Sequence, residues 1–311
     1  MEFFRSVPRY RFMSVRKLCY ALSALIIVGS VVAEGIHGLN LAVDFTGGVV
    51  IEAAFTGAAN LDGTRNALKS AGYSEVTVQN FGSSKDVLVR LPPLGERESP
   101  NTVTTKVETA LQTVDAGVQI RRTEVVGPQV GRELVVKGMQ AMAITVLLIL
   151  LYIAMRFRWK FGVGAVLATL HDPFVVIGVF ALTGMTFDLT VLAAVLAVIG
   201  YSINETVVVF DRVRELFPVM RNETPEQVFD RAINETLSRT VITKVATLIV
   251  VVALYLFGGE SLRGFGLALI VGIIAVTYSS MFVASGVALD LGSSHRDLMP
   301  SERQTLVDDL P

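Results

Sequence analysis

Apolar residues gather along the chain in six long runs: Leu18 to Val32, Met139 to Met155, Phe161 to Leu182, Leu189 to Phe210, Val241 to Phe257 and Phe265 to Leu289. A helix needs about 17 to 25 such residues to cross the hydrocarbon core, and modest tilt or flanking residues accommodate the differences. The pattern therefore predicts six spanning helices. The first run, with Arg16 and Lys17 before it and Ala33 after it, also suits a cleaved signal peptide. In either case the segment that follows is exported.

Between the first and second runs, Glu34 to about Gln129 has no membrane-length apolar stretch and is long enough for a small domain. Alternating and helical periodicities predict a strand near Leu39 to Phe55, a helix near Leu61 to Ala71, and strands near Glu75 to Asn80 and Asp86 to Leu91. A helix near Asn101 to Val114 and a strand near Val118 to Val126 follow. This βαββαβ order predicts a ferredoxin-like α+β module. Pro92, Pro93, Gly95 and Pro100 are turn chemistry, and Gly127-Pro128 ends the last strand. The chain thus divides into an N-terminus with the first span (1–34), an exported domain (35–131), a five-helix membrane domain (132–290) and a tail (291–311).

Two further patterns concern packing. Thr224-Pro225-Glu226-Gln227 suits a capping box with proline at the first helical position. It predicts a short amphipathic helix on the membrane surface, with Val228, Phe229, Ala232, Ile233 and Leu237 on its apolar face. Small residues four apart, Gly164 with Ala168, Ala193 with Ala197 and Ala268 with Gly272, let helices approach closely.

Composition agrees with the membrane reading, since 52% hydrophobic and 18% charged residues in 311 exceed the apolar content of an ordinary soluble globule. The mean hydropathy is +0.57. A net charge of -1 offers no general attraction to nucleic acid. Basic residues cluster before the first span (Arg5, Arg9, Arg11, Arg16, Lys17), between spans two and three (Arg156, Arg158, Lys160) and between spans four and five (Arg212, Arg214, Arg221, Arg231). The positive-inside rule places those segments and both termini in the cytoplasm. The single cysteine, Cys19, leaves no intrachain disulfide, and His37, His171 and His295 are too scattered for a zinc site. No phosphate-binding loop or hydrolase motif is present, so neither ATPase nor hydrolase activity is expected.

The polar residues inside the apolar runs carry the candidate chemistry, because an ionisable group at membrane depth is costly and normally faces a partner or a proton path. Glu205 lies beside Asn204 in the fourth run, and Tyr201, Ser202 and Glu205 share a helix face. The fifth span opens with Thr236, Arg239, Thr240, Thr243, Lys244 and Thr247, and its threonines form a stripe at helical spacing. Arg239 is the expected counter-ion of Glu205, with a static salt bridge as the alternative. His171-Asp172-Pro173 interrupts the third run. There the proline removes a backbone donor beside two titratable side chains, suiting either a proton relay or a structural kink.

A set of motifs resembles the SecD/SecF protein-export family, whose membrane part is similar to that of RND transporters. The motifs are Leu41-Ala-Val-Asp44-Phe45-Thr46-Gly47-Gly48, Val126-Gly127-Pro128-Gln-Val-Gly131, His171-Asp172 and Phe187-Asp188-Leu-Thr190. They continue with Gly200-Tyr-Ser-Ile-Asn204-Glu205-Thr, Phe210-Asp211-Arg212-Val-Arg214-Glu215, Asn234-Glu-Thr-Leu-Ser-Arg239-Thr240 and Phe257-Gly258-Gly259-Glu260-Ser-Leu-Arg263-Gly264. They occur in family order from about Leu39 to Leu289.

The resemblance implies a half of six helices like those of the RND transporters in the bacterial inner membrane, carrying a small exported domain. It implies an accessory that works with a SecD companion and the Sec translocon channel, drawing on the proton-motive force to promote export of preproteins. No cofactor is implied beyond the coupling proton, and membrane lipid is the surrounding solvent. By motif position, Glu205 corresponds to the family's proton-linked carboxylate and Arg239 to its basic partner, while a further acid is expected on SecD. Glutamate where the family usually has aspartate, and Pro173, are departures. Asp44, Thr46, Gly47 and Gly48 are expected to shape a strand near the first span, and Asp211 with Arg212 to form an ion cluster at the inner surface. A small-molecule proton antiporter is the alternative function, disfavoured because a pump of that kind needs a duplicated half and a larger vestibule.

Overall fold

Each apolar run lies inside a helix longer than itself. The computed structural model describes residues 7–74, 76–93 and 99–293, so Arg5, Glu75, Gly95, His295 and most of the predicted tail lie outside the described residues. After a 3₁₀ turn at Met13–Val15, α1 (Arg16–His37) leads into β1 (Asn40–Leu41), α2 (Val43–Thr46) and β2 (Gly48–Ala54). The single strand predicted from Leu39 to Phe55 is therefore broken. Gly47 (φ 71°) and Gly48 (φ 133°) adopt backbone conformations that side chains other than hydrogen rarely tolerate, and they turn the chain between α2 and β2.

The α+β unit continues with α3 (Leu61–Ser70), β3 (Thr77–Phe81), β4 (Ser83–Leu91), α4 (Pro100–Gln112) and β5 (Gln119–Val126). Asn60 and Ser99 cap the two helices by accepting from the amides of Gly63 and Thr102, and Pro100 sits where its missing N–H is harmless. The four strands form an antiparallel sheet in the order β3-β4-β2-β5, with Val49 opposite both Leu91 and Val125. Period-two alternation sends Val49, Ile51, Val87 and Val89 toward α3 and α4, where they pack on Leu68, Val103, Val107 and Leu111. Val50 and Leu88 point to the other face.

The remaining membrane-length helices are α5 (Pro128–Arg156), α6 (Trp159–Thr183), α7 (Leu189–Leu216) and α8 (Pro225–Phe257), with the two-residue strand β6 (Thr186–Phe187) before α7. The sixth span is composite: α9 (Glu260–Tyr278), a π-helical turn at Ser279–Ala284, and α10 (Ser285–Asp290). Among the described residues, and including the composite, six helices are long and apolar enough to cross a membrane. Three of them, α6, α7 and the composite span, are half buried in the bundle, whereas α5 lies on its periphery. Small residues set these approaches. A Cβ at Gly178 of α6 would fall 2.0 Å from Ser30 Oγ of α1, one at Gly164 2.4 Å from the carbonyl oxygen of Ala284, and one at Gly272 2.1 Å from Val198. Ala193 and Ala197, by contrast, are exposed on α7.

The surface helix expected from Thr224 is not separate from the fifth span. The capping box forms, with Gln227 N donating to Thr224 Oγ1 and Thr224 N to Gln227 Oε1, but α8 then runs unbroken to Phe257. Val228, Phe229, Ala232 and Ile233 are fully buried against Phe161, Phe210 and Phe217, so their apolar face meets protein rather than lipid. The N-terminal segment closes this end. Met13 is buried in the same cluster, its amide donates to Asp230 Oδ1 at 2.8 Å, and Arg16 pairs with Asp290 at 2.9 Å and Glu226 at 3.4 Å.

Candidate functional site

The middle of the bundle holds a polar cluster assembled from four helices. Glu205 on α7 is 6% exposed, Asp172 on α6 fully buried and Lys244 on α8 4% exposed. Glu205 Oε1 accepts from Thr240 Oγ1 at 2.6 Å, and Glu205 Oε2 lies 3.4 Å from Lys244 Nζ, an ion-pair distance without an aligned hydrogen bond. The ammonium also sits 4.0 Å from the centre of the Tyr201 ring, whose hydroxyl bonds Thr247 at 3.1 Å. Asp172 lies within electrostatic range of the same ammonium.

The composite span supplies the other wall. Asp172 Oδ1 meets His171 Nδ1 at 3.0 Å, and Asp172 Oδ2 accepts from Ser279 Oγ at 2.9 Å. Ser279 opens the π-helical turn, a local widening of the kind that frequently marks functional sites in helices. Pro173 lies inside a helix that continues through it, removing its own donor beside Asp172. Thr169 Oγ1, His171 Nε2, Ser202 Oγ and Thr206 Oγ1 are buried around the cluster without hydrogen-bond partners among the described residues. Among those residues no three His, Cys, Asp or Glu side chains are placed to hold a metal ion.

The charge balance defines what this arrangement can do. Glu205 has the Lys244 ammonium and Asp172 has His171 and Ser279, so each buried carboxyl keeps polar partners where an uncompensated charge would cost several kcal/mol. The cluster thus brings buried acidic, basic and hydroxyl groups of α6, α7, α8 and the composite span side by side inside the bundle.

The structure corrects the expected ion pair. Arg239 is exposed, and the cation facing Glu205 is Lys244. Helical geometry explains the exchange: Thr240, which bonds Glu205, is followed four residues later by Lys244 on the same face, whereas Arg239 precedes it by one residue and is turned about 100° away. Asn204, next to Glu205, is likewise exposed, so it is not part of the buried cluster. Ser279 was legible only as a polar break in an apolar run.

The other singled-out residues lie elsewhere. Asp211 pairs with Arg156 of α5 at 2.7 Å, and Arg212 with Glu215 and Glu235, binding the basic ends of α5, α7 and α8 together. At the opposite end, Asp44, Thr46, Gly47 and Gly48 occupy α2 and its exit, where a Cβ on Gly131 of α5 would fall 2.9 Å from Gly47 N.

These features define a class: a six-span helical membrane protein with an α+β domain inserted after the first span and a buried acid–base cluster between its helices. The family model described as "Protein export membrane protein SecD/SecF, C-terminal" matches residues 106–294, and that of the SecD/SecF GG motif matches residues 35–59. Protein translocase subunit SecF of Pseudomonas aeruginosa is 44% identical over 96% of this chain and 97% of its own length. SecF of Escherichia coli O157:H7 is 38% identical over 93% and 90%. The crystal structure of SecDF, a translocon-associated membrane protein from Thermus thermophilus, superimposes with a TM-score of 0.84 at 34% identity. It aligns with 93% of this chain, which spans 39% of the SecDF chain. The chain belongs to the SecD/SecF family, as a SecF-type protein translocase subunit of Sec export.

Proposed function

We propose that this subunit couples inward proton movement to polypeptide export, in partnership with a SecD companion beside the translocon. The observation that carries the reading is the buried Glu205–Lys244 pair beside a second buried carboxyl, Asp172, whose partners are His171 and Ser279. Protonation of Glu205 removes its attraction for Lys244 and leaves the ammonium to Asp172, so helices α7 and α8 repack against α6. One charge crossing about 100 mV yields about 2.3 kcal/mol, enough to bias such a two-state element about fifty-fold. The α+β domain, on the outer face with the basic loops inside, responds in small increments.

This chain offers the companion a surface. Ala193, Ala197 and Gly200 form an exposed small-residue face on α7 that continues into Asn204, and Arg239 is exposed on neighbouring α8. Small residues and a polar side chain at membrane depth suit close packing of a partner helix, and Arg239 offers its charge to an acid on that helix. The translocon-associated SecDF relative supports this partnership. The family match to a protein translocase subunit favours the accessory role over the antiporter alternative.

The test is reconstitution with a SecD companion and the translocon, measuring preprotein movement with and without a proton gradient. Glu205→Gln is expected to assemble normally and to lose the gradient-dependent part of export. Unchanged gradient dependence at equal expression rejects the coupling role.

A further inference from the structure

The helix that carries Glu205 begins at a joint with the α+β domain. Leu189 N, the first amide of α7, donates to Asp44 Oδ2 at 3.2 Å, while Val191 N donates to Asp188 Oδ1 at 2.8 Å. Two acids therefore cap one helix, and one of them is supplied from α2, remote in sequence. Next to this cap, β1 and β6 pair in parallel, with Asn40 opposite Thr186 and Leu41 opposite Phe187, and Ala42 N donates to Phe187 O at 2.9 Å. Arg90, from the centre of the sheet, reaches over the pair and donates to Asn40 Oδ1 at 2.9 Å and Thr186 Oγ1 at 2.5 Å.

The connection from α2 into the sheet leaves no slack. Gly47 and Gly48 pass so close to their neighbours that a Cβ on Gly48 would lie 2.6 Å from Leu91 O, and one on Gly47 3.0 Å from Pro128 Cα. β2, which starts at Gly48, is an interior strand of the sheet. Glu205 lies sixteen residues from Leu189, about 24 Å along an unbroken helix. Beside the joint, a cavity of about 570 Å³ separates the uncovered sheet face from the outer ends of the spans, with Glu52, Leu88, Arg122, Met185 and Arg263 among its walls. This hollow leaves room for the sheet to tilt.

We infer that Asp44, with the β1–β6 pair and Arg90, is the linkage through which axial movement of α7 is transmitted to the α+β domain. This assigns the DFTGG segment a positioning role: Asp44 grips the helix end, and the two glycines let that grip continue without a gap into β2. The inference rests on the proton reading above, because α7 must move when Glu205 changes charge. Its hydrogen bonds are directional and lie beside an apolar contact in which Phe45 packs on Phe187, so removing one polar side chain tests the grip while that packing remains.

The test uses the full chain with its SecD companion in proteoliposomes, carrying Cys19→Ser and spin labels at Ser70 on α3 and Leu182 at the end of α6. Lowering the external pH is expected to shift the label-to-label distance, and Glu205→Gln to abolish the shift. Asp44→Ala is expected to abolish it too, while the infrared band of the protonated Glu205 carboxyl still titrates. Asp44→Asn, which keeps an oxygen acceptor for Leu189 N, is expected to restore it. If Asp44→Ala disturbs the Glu205 band, an Asn40→Cys/Thr186→Cys disulfide across the strand pair, with label sites blocked, is expected to recover both signals. A shift that persists in Asp44→Ala, or a disulfide that fails to recover it, overturns the linkage. A wild-type chain with no shift also overturns it, while the export assay with Glu205→Gln judges the proton reading separately.

Discussion

Lys244 Nζ stands 3.4 Å from Glu205 Oε2, and both side chains are almost fully buried. Breaking such a pair from one side leaves an uncompensated charge and costs about 3–5 kcal/mol. Lys244→Met is therefore expected to lower the unfolding temperature of the nanodisc-embedded protein markedly. Adding Glu205→Gln to that variant should recover most of the loss, because the stranded carboxylate is gone. Arg239→Ala, at an exposed position, should leave the unfolding temperature of the chain alone nearly unchanged. A large loss from Arg239→Ala and none from Lys244→Met would falsify the assignment of the pair.

Gly272 of α9 and Val198 of α7 touch where a methyl group cannot be inserted, the added carbon lying 2.1 Å from Val198 Cγ2. Overpacking of this kind costs about 1–3 kcal/mol. Gly272→Ala should destabilise the chain by that order in thermal unfolding, and Val198→Ala should act as its suppressor. Independent, additive effects of the two substitutions would show that the helices do not meet there.

The six spans and the βαββαβ order were legible because apolar length and periodicity are local properties of the chain. The same locality explains what was missed. Leu39 to Phe55 has strand composition throughout, but Gly47-Gly48 turns it, and the short partner of β1 is β6, about 145 residues further on. The helix after Thr224 has a clear start and no visible end, since no Gly or Pro separates it from the fifth span, so it joins α8. Glu205 and Asp172 stood out because acids are costly in hydrocarbon. Choosing between Arg239 and Lys244 required knowing which face of α8 meets α7, a tertiary fact that spacing alone left open.

Thr224 and Gln227 satisfy each other's backbone amides at the start of α8, and loss of such a cap costs about 1 kcal/mol. The consequence should stay local. Arg212 binds Glu235 at 2.7 Å, and Phe229 is buried among aromatic rings, so the helix is held again within its next turns. Thr224→Ala should raise hydrogen exchange in the first turn of α8, leaving the amides around Thr240 as protected as before. Exchange that spread to Thr240 would mean the cap, rather than the packing behind it, holds the Lys244 face in place.

Asp115 links the loop before β5 to the end of β2: Thr56 N and Oγ1 donate to its Oδ2 at 2.7 and 2.8 Å, and Gly117 N donates to Oδ1 at 2.9 Å. The Thr56 amide, followed by the Gly117 amide and the Thr56 hydroxyl, favours the charged carboxylate and holds it below the usual aspartate range. A depressed folded-state value contributes stability above the unfolded aspartate range and loses it as pH falls through the lowered value. In the full chain, amide protection at Thr56 and Gly117, corrected for intrinsic exchange, should therefore be constant near neutrality and decline on the acid side. Asp115→Asn should start lower and show little of that decline, because its amide does not titrate there. The two proteins should converge at low pH, where the aspartic acid has lost its charge, and a gap that instead widened with acid would show that another group governs this loop.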